Sequence, residues 1–481
     1  MKLSTKIAYN TIVQIIGKII STILGLVAIA IMTRYLGNEG FGEYTTIITF
    51  AFIFSIIADL GLTLVTSQMI NRPNVDHHKV LNNLFGFRLV SALVIIFLAP
   101  IIVQFFPYSP IIKLGVIVAS LSFFFLSMNQ VFVGLFQKEL RTDKIAIAEI
   151  LGRVAMVAGV FFAMIFDWGL TGMLWAVVFT NFVHFVFHYY FSRRFAKIKI
   201  SFDWIIWKEI LHRSWPLFLT TAFNLIYLKA DILLLSLMQE QVDVGIYGAA
   251  YKVVDVLVTL PFMFAGILLP LFVRHWTRND KPRYFQILQK AFDATAIIAI
   301  PLMVGGYFLA DPIMIFVAGK DFALSGPVLQ ILIFAIGAVF FGCLFTHTII
   351  SFNQQKKLIK YYAITALTSL PLYFWLIPKY SYFGAAWVTF YSEALIFVFA
   401  IILAWRYSKF WPRLNVLLKS LLASAVMGAG LYWLADWASQ SMFYFVIILL
   451  LASAIYFIVI YLLKGFSRED VMSLLNRKNN D

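Results

Sequence analysis

Ten ionisable side chains sit inside long apolar runs of this 481-residue chain: Lys18, Arg88, Arg153, Lys229 and Lys252, with Asp59, Glu149, Asp231, Asp255 and Glu393. A charge inside a bilayer costs at least a few kcal/mol, so it faces a partner or a water-filled cavity. The bases offer positive partners to an anionic group crossing a low-dielectric slab. The acids are the groups that take up and release a coupling ion. Lys18 has the clearest setting. At 100° per residue, Asn10, Gln14, Lys18, Ser21 and Gly25 form one stripe about 80° wide on an otherwise apolar helix. The lysine lies about 15 Å deep at 1.5 Å rise per residue.

The other charges come in local pairs. Glu149 and Arg153 are spaced i,i+4 and are expected to pair, as are Lys252 and Asp255 at i,i+3. Lys229 and Asp231 are spaced i,i+2, point to different faces and do not satisfy each other; Thr220 and Asn224 share their run. Asp59 lies in Ala58-Asp59-Leu60-Gly61. Arg88 is a turn or two inside its run, a depth from which it is expected to snorkel to the headgroups. Each pair reads equally as an interhelical ion pair of purely structural use.

The elements that hold these residues follow from composition. The chain is 62% hydrophobic and 13% charged, with mean hydropathy +0.88. Its apolar runs reach the twenty or so residues that span a bilayer, which defines an all-α polytopic membrane protein. Fourteen spans are expected at about 7–33, 44–68, 82–106, 111–136, 145–166, 170–191, 214–238, 245–273, 290–310, 326–351, 358–377, 383–405, 415–435 and 443–463. Ala28-Ile29-Ala30 has the small residues of a cleavage site, but the preceding apolar run is too long for a signal peptide and is read as an uncleaved span. With these spans, 29 of the 38 lysines and arginines fall on one side, 4 on the other and 5 within spans. The basic side, with both termini, is expected to be cytoplasmic. The net charge of +15 is then accounted for by topology and anionic lipid, not nucleic acid.

Three glycines after the first span, Gly37, Gly40 and Gly42, predict a tight turn. Pro216, Pro261, Pro301 and Pro371 fall within spans, are expected to kink them and are candidate hinges. Two short echoes divide the chain: Phe41-Gly42-Glu43-Tyr44 with Val244-Gly245-Ile246-Tyr247, and Gly172-Met173-Leu174-Trp175 with Gly384-Ala385-Ala386-Trp387. They predict two six-helix lobes in parallel pseudo-repeat, residues 1–191 and 214–405. An amphipathic cytoplasmic linker, 192–213, joins them, and 406–481 carries two extra helices and a cytoplasmic tail.

Several chemistries lack their motifs. There is no P-loop and no Gly-x-Ser-x-Gly elbow. His184 and His188 share a helix face but lack a third ligand. Cys343 is the one cysteine and reads as a core residue. The external loops are too short to carry a polymerase or ligase site.

Asn10-Thr11, Gly17-Lys18, Arg34-Tyr35-Leu36-Gly37, Gly40-Phe41-Gly42-Glu43-Tyr44 and Ala58-Asp59-Leu60-Gly61 resemble the N-terminal signature of the Wzx-type polysaccharide and O-antigen flippases. These belong to the multidrug/oligosaccharidyl-lipid/polysaccharide exporter superfamily. The resemblance implies two lobes around a central cavity lined by spans 1, 2, 7 and 8. It implies alternating-access transfer of a polyprenyl-pyrophosphate-linked oligosaccharide to the outer leaflet of a bacterial cytoplasmic membrane. In the similar peptidoglycan-precursor flippases, spans 13 and 14 shape a groove for the lipid tail. On this reading Gln14, Lys18, Arg88, Arg153, Lys229 and Lys252 are the candidate substrate-binding residues, and Asp59, Asp231, Asp255 and Glu393 the candidate ion-coupling residues. No cofactor is expected beyond coupling to H+, Na+ or the membrane potential. The expected partners are the lipid-linked oligosaccharide, membrane lipids and polysaccharide polymerase machinery. Three alternatives stand beside it: a peptidoglycan-precursor flippase, a cation-coupled multidrug exporter and, remotely, a membrane glycosyltransferase or polymerase.

Overall fold

A computed structural model describes residues 3–70, 76–196 and 198–465; the side chains of 3–9, 11–12, 64, 67–68, 216–217 and 219–228 lie outside that description. Thr220, Asn224 and Pro216 are among the latter. The helices are α1 (Leu3–Asp59), α2 (Leu62–Ile70), α3 (His77–Ile96), α4 (Ala99–Ile102), α5 (Pro110–Lys138), α6 (Thr142–Ile165), α7 (Gly169–Ser192) and α8 (Trp204–Met238). They continue with α9 (Gln241–Thr277), α10 (Lys281–Phe308), α11 (Ala310–Val317), α12 (Ser325–Ser351), α13 (Leu358–Ser408), α14 (Asn415–Ala438) and α15 (Met442–Leu462). No strand occurs among the described residues.

Among the described residues, eleven helical stretches are long and apolar enough to cross a bilayer. Two of them, Val13–Asp59 with 47 residues and Gln355–Ser408 with 54, are twice the necessary length. The first is broken at Gly37 (φ 66°, ψ −174°) and the second at Ser381 (φ 46°, ψ −129°). Each therefore holds two spans, and with α8 at the seventh position the fourteen expected spans are accounted for.

The details depart from the sequence in three places. Only Gly37 makes the first turn; Gly40 and Gly42 are helical. The second span is not continuous. It stops at Asp59, passes through Leu60 (φ 47°) and Gly61 (φ 74°), and restarts as α2. The Thr63 hydroxyl donates to Asp59 Oδ1 across that break at 2.7 Å. Hydropathy runs through the region without interruption, which is why the break is invisible to it. By contrast, Pro261 and Pro301 lie inside uninterrupted helices, and Pro371 lies in α13 ahead of the Ser381 break, to which Pro378 is the nearer proline.

The third departure is the linker. Residues 198–203 form an extended strap and α8 begins at Trp204, capped by Asp203, whose Oδ1 accepts from the N–H groups of Ile205 and Ile206. From there the helix runs to Met238, so the expected amphipathic segment is half strap and half the first turns of the seventh helix. Lys79 Nζ lies 2.7 Å from Asp203 Oδ2. That hydrogen bond, helped by the two capping N–H groups, holds the Asp203 carboxyl below its ordinary value near 3.8. A depressed carboxylate stabilises the fold above its ordinary pKa and loses that contribution as pH falls through the lower, folded value. Asp203→Asn keeps a capping oxygen but not the charge. It is expected to lower thermal stability at pH 6, with the difference from wild type vanishing as pH falls through the lowered, folded value of Asp203; melting curves in detergent across pH check this.

Two compact units divide within α9, at Met1–Gly248 and Ala249–Asp481. In the first, α1 packs on α3, α5, α6 and α8, and α7 packs on α5 and α6. The first echo of the sequence is here a physical contact. A Cβ on Gly42 would stand 1.7 Å from the Gln241 carbonyl oxygen, and one on Gly245 would stand 2.0 Å from the Asn38 carbonyl oxygen. Each glycine thus rests on the carbonyl four residues before the other. In the second unit α12 packs on α13 and α10, while α14 and α15 attach through α10. The Ser420 hydroxyl donates to the Ala296 carbonyl at 3.0 Å, and the Tyr456 hydroxyl to the Ile297 carbonyl at 2.8 Å.

Candidate functional site

The polar stripe of α1 is seated on α6. Asn10 Nδ2 donates to the Leu140 carbonyl just before α6 at 2.6 Å, and Lys18 Nζ meets Glu149 Oε1 at 3.2 Å. Further along, the Arg153 guanidinium lies over Gly25, 3.5 Å from where a Cβ would stand. Gln14 is exposed, and Ser21 is buried with no partner for its hydroxyl among the described residues. Lys18 therefore does have an acid, 131 residues away in sequence, and that acid is the one expected to pair with Arg153. The in-helix Glu149–Arg153 pair does not form. Glu149 faces α1, while Arg153 extends over Gly25 and places Nη1 3.5 Å from the Met156 sulfur. Its buried Nε has no partner among the described residues. The Lys18 and Glu149 side chains remain 41% and 27% exposed, so the pair is open on one side.

The two histidines extend this seam into α7. His184 Nε2 lies 3.2 Å from the Glu149 carbonyl, and His188 Nδ1 lies 3.1 Å from Asn129 Oδ1 on α5. Both are thereby engaged between helices.

Arg88 does not snorkel. It is 1% exposed, forms an ion pair with Asp59 through Nη2, and donates from Nε to the Ser127 hydroxyl at 3.2 Å. A carboxylate and a hydroxyl inside the unit provide what a headgroup would otherwise provide. A cavity of ≈ 250 Å³ adjoins the pair, lined by Ser55, Asp59, Thr63, Arg88, Ser127 and Gln130 together with apolar side chains. A candidate substrate-binding base and a candidate coupling acid are thus brought together.

Asp231 is 1% exposed and accepts from the Tyr247 hydroxyl at 2.7 Å and from the Ile232 N–H at 2.8 Å. Lys229 is half-buried. In the second unit Lys252 and Asp255 approach to 3.9 Å, and Glu393 is half-buried near Tyr362. That unit also holds an apolar cavity of ≈ 370 Å³ between α9, α10, α12, α14 and α15, lined by Val253, Leu257, Pro301, Leu431, Ala452 and Phe457 among others. Sequence reasoning did not foresee Ser127 or Tyr247 as partners, since a lone hydroxyl carries no periodic signal.

This is the fold of the multidrug/oligosaccharidyl-lipid/polysaccharide transporters, multi-pass membrane proteins. The lipid II flippase MurJ in an inward closed conformation superposes with a TM-score of 0.76, at 18% identity, over 96% of this chain and 100% of that one. An inward-facing multidrug resistance MATE transporter gives 0.69 at 14% identity, over 83% of this chain and 98% of that one. The chain belongs to the polysaccharide biosynthesis protein family, whose model matches residues 7–276. It is 24% identical over 195 residues to the "Putative O-antigen transporter" of Shigella dysenteriae, a match covering 40% of this chain and 48% of that protein. The chain thus spans about half the length of this curated relative.

Proposed function

We propose that the protein flips a polyprenyl-pyrophosphate-linked oligosaccharide from the inner to the outer leaflet of a bacterial cytoplasmic membrane by alternating access, with both termini in the cytoplasm. The observation that carries this reading is the α1–α6 seam. Lys18 and Arg153 bring two positive charges against one carboxylate, Glu149, with Lys18 partly exposed and the Arg153 Nε unpartnered among the described residues. The surplus charge and the unpartnered N–H suit a pyrophosphate, which gains most from charge-assisted hydrogen bonds in a low-dielectric site. Family membership and the O-antigen relative support the glycan. Ions are taken up by acids within the spans on this reading, Asp59, Asp231, Asp255 and Glu393 being the candidates, and the glycan passes to polymerase machinery outside. A cationic-drug exporter would be expected to surround its substrate with net negative charge, opposite to this seam.

Transport in proteoliposomes tests the proposal, with a fluorescent polyprenyl-pyrophosphate oligosaccharide scored by a leaflet-impermeant quencher and a cationic dye run in parallel. Lys18→Gln is expected to slow sugar-lipid flipping about ten-fold, one charge-assisted hydrogen bond's worth, and Lys18→Arg to restore most of it. Dye transport without sugar-lipid transport by the folded wild type would overturn the reading.

A further inference from the structure

We propose that the strap before α8 and the first turns of α8 form a binding site for anionic phospholipid headgroups on the cytoplasmic leaflet. The strap is held at a defined level. Asn82 Oδ1 accepts from the Lys199 N–H at 2.9 Å, and Asn83 Oδ1 accepts from the Asp203 N–H at 2.7 Å. A Cβ on Gly86 would stand 2.5 Å from the Ser201 carbonyl oxygen, and the Trp207 ring meets Phe87 edge-on with centroids 5.2 Å apart. The strap thus crosses α3 over its first turns, where the chain enters the apolar layer.

Its two faces differ. Inward, Ala196 and Ile210 are fully buried, and Ile198, Ile206 and Trp207 pack against the cluster built from α2, α3 and α5. Outward, Ile200, Phe202, Trp204 and Ile205 are 69%, 67%, 66% and 81% exposed. The inward face already supplies the packing, so the outward residues are not core residues left over. Four apolar side chains exposed to this degree, two of them aromatic, are what a bilayer interface accepts.

The charge pattern selects the lipid. Of the acids nearby, Asp143 is bound by Arg141 and Lys144, Asp203 by Lys79, and Glu209 by Arg213, while Asp76 caps α3 by accepting from the His78 and Lys79 N–H groups. Arg193, Arg194, Lys199 and Lys208 are exposed, and no acid pairs with them among the described residues. Four cations beside an apolar patch at the leaflet surface bind anionic headgroups by the same electrostatics that draws polybasic segments to such membranes. The strap is tied to α3, which carries Arg88, and leads directly into α8, so lipid held there fixes the position of both.

The test uses the full-length protein in nanodiscs. On a Cys343→Ala background, Ile205→Cys is labelled with an environment-sensitive fluorophore. In discs of phosphatidylcholine with one-third phosphatidylglycerol, the label is expected to emit to the blue, resist iodide, and be quenched by headgroup spin labels. In pure phosphatidylcholine, quenching by the same labels is expected to fall several-fold. Replacing Arg193, Arg194, Lys199 and Lys208 together by glutamine is expected to abolish the difference between the two lipids. A label open to iodide in both lipids, in protein that melts like wild type, would overturn the proposal and leave the patch to a protein partner. So would equal spin-label quenching in both lipids, or a lipid difference that survives the four substitutions.

Discussion

Gly42→Ala is expected to destabilise the first unit by more than about 3 kcal/mol, beyond the ordinary range for overpacking. A single methyl there would lie 1.7 Å from a main-chain carbonyl oxygen, with the Gly245 nitrogen 2.9 Å away. Neither is the end of a side chain that can swing aside, so two helices must part. Gly245→Ala faces the same obstacle at the Asn38 carbonyl, 2.0 Å away. Gly266→Ala on α9 is the control, since nothing lies within 4 Å of the added carbon. It is expected to be neutral or to stabilise by up to about 1 kcal/mol through helix propensity. Thermal melts and the yield of monodisperse protein in detergent distinguish the three. Equal behaviour of Gly42→Ala and Gly266→Ala would show that the crossing is not tight.

Arg88→Met is the second large effect, expected to cost about 3–5 kcal/mol, because it leaves Asp59 in a low-dielectric site without its cation. Asp59 is 25% exposed, which places the cost toward the lower end. Asp59→Asn is expected to be equally damaging, since it strands a guanidinium that is 2% exposed. The double substitution Asp59→Asn with Arg88→Met removes both charges and is expected to recover most of the stability. A double-mutant cycle measured by melting reads this directly; additive losses would mean the two side chains act independently. Transport by the stable double variant then separates folding from function. If Asp59 couples an ion, the double variant folds but no longer responds to the ion gradient.

Much of the fold was legible in the chain. Hydropathy counts the spans, and the two Gly-x-Tyr segments supply the pair of glycines that meet, Gly42 and Gly245. What hydropathy cannot see is a local change of backbone within an apolar run. Leu60 and Gly61 are as apolar as their neighbours, and their positive φ values break the second span without altering its composition. The charges inside the spans were legible in the sequence, and their pairings were less so. The 3.6-residue period places Asn10, Lys18 and Gly25 on one face of α1, but which helix lies across from that face is a long-range matter. Glu149 was read as Arg153's partner because spacing within a helix is the only proximity a sequence displays. In the fold, the missing side chain of Gly25 lets Arg153 lie down on α1, and Glu149 meets Lys18. Arg88 was misjudged for the same reason: Asp59 is 29 residues away in sequence and in contact in space.

The Gly42–Gly245 crossing has a symmetry of its own. Gln241 lies under Gly42 as Asn38 lies under Gly245, so the contact maps onto itself when the two segments are exchanged. That self-complementarity is the pattern an isologous interface between identical subunits shows. It is local to the crossing: the exchanged positions Thr45 and Gly248 meet each other and carry different residues.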